Sequence, residues 1–118
     1  MAKIMVVDDS GYTRSMLRTA LEIEGFKDVI EASTGTEAIE KFKSDHPDLV
    51  LLDIVMTEMD GIDVLRAIKQ EDPEAKVIIV SAIGQERYIT EAKELGVLGY
   101  VAKPFSPKEL IEKIKQIM

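Results

Sequence analysis

Two hydrophobic periods alternate along the chain, and this alternation restricts the fold more than any other feature. Five short runs of aliphatic and β-branched residues recur: KIMVV (3–7), DVIEA (28–32), LVLL (49–52), KVIIV (76–80) and GYVA (99–102). Between them the apolar residues fall at helical spacing. Leu17, Ala20 and Leu21 form one stripe, and Ala38, Ile39 and Phe42 a second. Ile62, Leu65 and Ile68 form a third, Tyr88, Ile89, Ala92 and Leu95 a fourth, and Leu110, Ile111, Ile114 and Met118 the last. Gly25 and Gly96 follow helical stretches, where a left-handed cap is wanted, and Pro73 stops another. TGTE (34–37) and SPKE (106–109) read as capping boxes, the second with Pro107 at the first helical position. Five strands alternating with five helices predict an α/β fold: a doubly wound, five-stranded parallel sheet covered on both faces, of order 2-1-3-4-5. No linker, repeat or low-complexity tract interrupts the pattern, so residues 1–118 are expected to form one domain.

In such a sheet ligands bind beyond the carboxyl ends of the strands, at the switch point between strands 1 and 3. The polar residues at those ends are specific. Asp8 and Asp9 end strand 1, Asp53 ends strand 3, Ser81 ends strand 4 and Lys103 ends strand 5. Strand 2 delivers only Ser33, at the far edge. Strands 1 and 3 are neighbours in this order, so Asp8, Asp9 and Asp53 converge. Three carboxylates at close range need a cation. The chain has no cysteine, and oxygen ligands point to Mg²⁺. Mg²⁺ held by one or two carboxylates completes its shell with water and phosphate oxygens, and a neighbouring carboxylate can attack phosphorus to give an aspartyl-phosphate. Lys103 offers a point charge for phosphoryl oxygens and Ser81 a hydroxyl donor, so the site would act by positioning and charge neutralisation.

Plainer readings stand beside these. Asp8 and Asp9 at a helix N-terminus also suit the helix dipole. Ser81 alone reads as a helix cap, Lys103 as a surface charge, Tyr100 as core, His46 as a solvated turn residue and the lysines of the last helix as its wet face. The formal net charge of −7, from 15 Lys+Arg against 22 Asp+Glu, argues against direct binding of DNA or other nucleic acid. No apolar run approaches the ~18 residues of a membrane span, and MAKIMVV is too short for a signal peptide, so a cytoplasmic protein is expected.

The paired aspartates after strand 1, the aspartate in LLDIVMTEMDG, the hydroxyl in VSA and the KPF after strand 5 together resemble the receiver domain of two-component response regulators, in order and over the whole chain. That family's sheet has the order 2-1-3-4-5, so this expectation and the fold reading are not independent. The resemblance implies that Asp53 is the phosphoacceptor, charged by a sensor histidine kinase. It implies that Asp9 and Asp53 bind Mg²⁺ directly, with the backbone carbonyl of Val55, while Asp8 acts through metal-bound water. Lys103 and Ser81 would contact the phosphoryl group. Tyr100 would be an aromatic switch that turns inward as Ser81 moves, and Lys103–Pro104 would be a cis peptide.

DDSGYTRSML is most similar to single-domain chemotaxis regulators of the CheY type, in which an arginine at the position of Arg14 is frequent. Output is then expected through protein contact on helix 4, strand 5 and helix 5, where Tyr88, Gly99 and Tyr100 lie, to a motor or adaptor protein. A monomer and a separate phosphatase are also expected. The sequence departs from the family at Thr57, where the M-P-x-M-D-G pattern has proline. Asp53 to Thr57 half resembles the D-x-D-x-T motif of haloacid-dehalogenase phosphatases, but Val55 stands where those enzymes need an acid. A long-lived phosphoryl state is expected, and no turnover enzyme. A phosphorelay carrier is an alternative. A flavodoxin-like binding module lacks the aromatic loop it would need: Phe, Tyr and Trp total 5% and Trp is absent. The receiver resemblance further implies that Val55 and Ile83, both apolar, flank the path of attacking water, which would slow self-dephosphorylation.

Overall fold

The computed structural model describes residues 2–56, 59–82 and 86–118; Thr57 and Ile83, singled out above, lie outside them. Among the described residues, strands and helices alternate in chain order: β1 (Lys3–Val7), α1 (Gly11–Ile23), β2 (Asp28–Ala32), α2 (Gly35–Asp45), β3 (Leu49–Leu52), α3 (Gly61–Glu71), β4 (Val77–Ala82), α4 (Glu86–Glu94), β5 (Gly99–Lys103) and α5 (Pro107–Ile117). The sheet has the order β2-β1-β3-β4-β5, and every pairing is parallel.

Successive strand residues face opposite sides of a sheet, and here both sides are apolar. Met5, Val7, Val50, Leu52, Val77 and Ile79 pack beneath α2, α3 and α4. Ile4, Val6, Leu49, Leu51, Ile78 and Val80 pack against α1 and α5. Each such aliphatic side chain contributes about 1.5–3 kcal/mol by leaving water, which is why these runs stay in the sheet and carry their polar ends with them.

Local chemistry sets the helix ends. Ser10 caps α1 by accepting from the Thr13 amide at 3.3 Å, and Asp60 caps α3 by accepting from the Ile62 amide at 2.9 Å. Ser106 caps α5, with Pro107 in its first turn. Thr34 caps α2 by accepting from the Glu37 amide, but the Glu37 carboxylate reaches the amide of Ser33 at 2.6 Å, one residue before the place a standard capping box uses. Gly25 and Gly96 adopt left-handed φ values of 93° and 92°. α2 ends on the left-handed His46, exposed and beside Ala2 at the amino ends of the strands, away from the aspartates. The Lys103–Pro104 peptide is cis.

Two expectations are corrected. Met118 does not complete the stripe on α5: it lies one residue past the helix, as its C-cap, and is 44% exposed. Ser81 does not end β4. The strand runs on to Ala82, because β5 continues to Lys103 and keeps Ala82 paired with it.

Candidate functional site

The sheet hydrogen bonding continues one residue past the strands that carry the acids. The Asp8 amide donates to the Ala32 carbonyl at 3.2 Å, and the Asp53 amide donates to the Val7 carbonyl at 3.0 Å. Both residues are therefore fixed by the sheet before any side-chain contact is made. Asp8 is 1% exposed and Asp53 6%, whereas Asp9 is exposed. Each of the three offers a carboxylate oxygen, and these atoms lie within 4.8 Å of one another. Convergence at the β1–β3 switch point is thus as expected.

Lys103, at the end of β5, reaches across this group. Its Nζ donates to Asp8 Oδ2 at 2.7 Å and to Asp53 Oδ2 at 3.4 Å. The remaining oxygens take main-chain donors: Asp8 Oδ1 accepts from the Ser10 amide at 2.9 Å and Asp53 Oδ1 from the Val55 amide at 3.2 Å. Burial, with the Asp8 charge adding to it, pushes the Asp53 carboxyl up to about 6, although Lys103 and the Val55 amide pull the other way. Burial alone would lower the Lys103 ammonium. Its hydrogen bond to Asp8 and the charges of Asp53 and Asp8 outweigh that and hold it above its ordinary value. Three carboxylates against one ammonium leave a formal charge of about −2 on hard oxygen donors, which fits a small divalent cation better than any softer metal.

Ser81 is fully buried inside β4, paired with Ala102, and two residues along the same ladder Ile79 pairs with Tyr100. Ile79 and Tyr100 both pack on the α2–α4 side. Paired residues of a parallel sheet share a face, as do residues two apart, so Ser81 and Tyr100 lie on one side of the sheet. The reading of Ser81 as a helix cap is excluded by its place in the strand. Tyr100 is half-buried beside a groove of roughly 300 Å³ lined also by Ile89, Val97, Leu98 and Lys113. Val55 is 47% exposed next to Asp53, which its amide holds.

Gly61 carries a role that sequence reasoning gave to no residue. A Cβ there would lie 2.4 Å from the Cα and carbonyl oxygen of Ile54 and 2.7 Å from the carbonyl oxygen of Asp53. Its own amide donates to the Ile54 carbonyl at 2.7 Å. The start of α3 is pressed directly onto the backbone leaving β3, so only glycine fits. The signal was present in MDG: a glycine at the first helical position, after an aspartate cap, weakens a helix without helping it start.

The chain matches the family model described as response regulator receiver domain over residues 4–115. It is 40% identical to the chemotaxis protein CheY of Bacillus subtilis, over 98% of this chain and 97% of that protein. It is 41% identical to the chemotaxis protein CheY of Halobacterium salinarum, over 100% of this chain and 98% of that one. A crystal structure of a CheX–CheY–BeF3–Mg²⁺ complex from Borrelia burgdorferi contains a similar chain, with a TM-score of 0.93 and 32% identity over 98% of this chain and 88% of that one. Fold, converging acids and sequence kinship agree: the chain belongs to the response regulator receiver domain family, and within it is a CheY-like response regulator with relatives in chemotaxis.

Proposed function

We propose that Asp53 accepts a phosphoryl group from a phosphohistidine of a sensor kinase, in a reaction that requires Mg²⁺, and that its phosphorylation sets the affinity for a downstream protein. The observation that carries this reading is the meeting of Asp8, Asp9 and Asp53 within 4.8 Å under the reach of Lys103. A carboxylate oxygen of Asp53 bonds to phosphorus while the P–N bond breaks and its electron pair leaves with the imidazole. The reaction asks for positioning and charge neutralisation more than for covalent assistance. The Val55 amide and Lys103 hold the acceptor carboxylate on its two oxygens, and Lys103 is near enough to follow the negative charge onto the phosphoryl oxygens. Asp9 and Asp53, with the Val55 carbonyl, would hold Mg²⁺ and Asp8 would act through a bound water; the ion supplies charge neutralisation.

Phosphorylation adds roughly −1.5 to −2 charge. Ser81 answers it by moving toward the phosphoryl group, which opens space on the face it shares with Tyr100, and Tyr100 turns into that space. The readout surface is α4, β5 and α5, offered to a motor or adaptor protein of chemotaxis. Val55 supplies no acid or base, so the phosphoryl group persists until a separate phosphatase removes it. Residues 1–118 act as one receiver domain, a cytoplasmic monomer. No described helix is long and apolar enough to cross a membrane.

The test is phosphorylation by acetyl phosphate with Mg²⁺, followed by mass spectrometry. A hydroxylamine-sensitive phosphoryl group on Asp53, absent from a folded Asp53→Asn variant, is expected. Phosphate on Ser81 or His46 in its place would overturn the reading.

A further inference from the structure

Asp9 is the exposed member of the acidic group, so core packing does little to aim it. Asp8 and Asp53 are buried and their oxygens are held by Lys103 and by main-chain amides. The main chain leading into Asp9 also bears on the direction of its carboxylate. That main chain is tied at Asp8, whose amide bonds β2 through Ala32 and whose Oδ1 takes the Ser10 amide. The Asp8 carbonyl belongs to the peptide unit that enters Asp9, and it accepts from a side chain: Arg14 Nη1, at 2.7 Å.

Arg14 is itself braced. Its Nε donates to Glu31 Oε1 at 3.1 Å. The other Glu31 oxygen takes Arg18 Nε at 2.7 Å, and a second Arg18 nitrogen donates to the Val29 carbonyl at 2.9 Å. Glu31 sits in β2 opposite Val6 of β1, so the brace is anchored in the sheet. A guanidinium presents several donors in a rigid fork and can engage Glu31 and the Asp8 carbonyl together; an ammonium is a single point.

We infer that Arg14, braced by Glu31, is a positioning residue for the cation site, fixing the Asp8–Asp9 peptide and so the direction in which Asp9 presents its carboxylate. The inference rests on the Mg²⁺ reading above. Arg14 touches no reacting atom; it acts through the Asp8 carbonyl. Charge and position here predict opposite signs. By Coulomb attraction alone, removing a positive charge beside three carboxylates tightens binding of a cation. By positioning, removing Arg14 weakens it, and the loss of such an outer support costs about tenfold in metal affinity.

The experiment is calorimetric titration of the folded, unphosphorylated protein with Mg²⁺, together with the rate of phosphorylation by acetyl phosphate across a range of Mg²⁺. Arg14→Ala is expected to weaken Mg²⁺ about tenfold, with the rate returning close to the parental value at saturating Mg²⁺. Arg14→Lys, which keeps the charge and loses the fork, restores only part of the affinity. Glu31→Gln weakens Mg²⁺ by less than Arg14→Ala, and adding it to Arg14→Ala costs nothing further, because both act through one contact. Parental or tighter Mg²⁺ affinity in folded Arg14→Ala overturns the inference and leaves the proposed function standing, even where the melting temperature falls. A parental protein that binds no Mg²⁺ overturns both.

Discussion

The two ends of the proposed signalling route are built differently. β1 and β3, which carry the acids, are buried along almost their whole length; only Lys3 is partly open. β5, which carries Tyr100, buries Val101 fully and leaves its other four residues half-covered. The helices repeat the contrast. α3 buries Gly61, Ile62, Val64, Leu65 and Ile68, while among its described side chains α4 buries Ala92 alone. The acceptor end is held by sheet hydrogen bonds and a close-packed core, which keeps reacting atoms in place. The other end has fewer buried apolar contacts, and such regions open at lower free-energy cost. The proposed switch needs both: acids that stay where they are, and a surface with two arrangements close in energy.

The largest expected effect breaks the rigid side. Gly61→Ala places a methyl group against the backbone of Ile54 and Asp53, and no side-chain rotation can relieve it. Destabilisation of about 3 kcal/mol is expected from chemical denaturation, with slower phosphorylation of the protein that remains folded. A loss near zero would mean that the β3–α3 junction yields easily and the contrast is overstated.

A somewhat smaller effect sharpens it. The folded protein binds a proton on Asp53 more tightly than the unfolded chain does, since the carboxyl is raised from 3.8 to about 6. Its ionisation therefore opposes folding. The penalty is fully present above about pH 6 and fades as pH falls through 6 toward 4. In chelator-treated protein, Asp53→Asn is expected to raise stability at pH 8 by about 2 kcal/mol and to show no gain near pH 4. Denaturation curves at the two pH values check this. A gain of equal size at both would show that the strain is not electrostatic.

The smallest effect belongs to the looser side. Tyr100→Ala is expected to weaken the coupling between phosphorylation and partner binding by about 1 kcal/mol while leaving phosphorylation by acetyl phosphate unchanged. The ratio of partner affinities with and without phosphate measures it. An unchanged ratio would remove Tyr100 from the switch.

The same contrast explains what the sequence made legible. The strands of the rigid end announce themselves, because a run such as LVLL followed by Asp53 is both a buried strand and its polar exit. The meeting of Asp8, Asp9 and Asp53 follows once the strand order is known. The last residue of β4 was not legible, because it is set by pairing with β5 and not by its own composition: nothing in VSA says that Ala82 pairs with Lys103. Gly61 was visible as a letter, but its role depends on how closely α3 approaches β3. Arg14 and Glu31 are 17 residues apart and meet only when β2 lies beside β1.

The central claim is that the acceptor end stays fixed while the β4–α4–β5 side responds. Amide hydrogen exchange of the Mg²⁺-loaded protein, followed residue by residue with and without the phosphoryl mimic beryllium fluoride, tests it directly. Exchange in β1 and β3 is expected to stay as it was, while that in α4 and around Tyr100 changes. Altered protection confined to β1 and β3, with α4 and β5 untouched, would contradict the account.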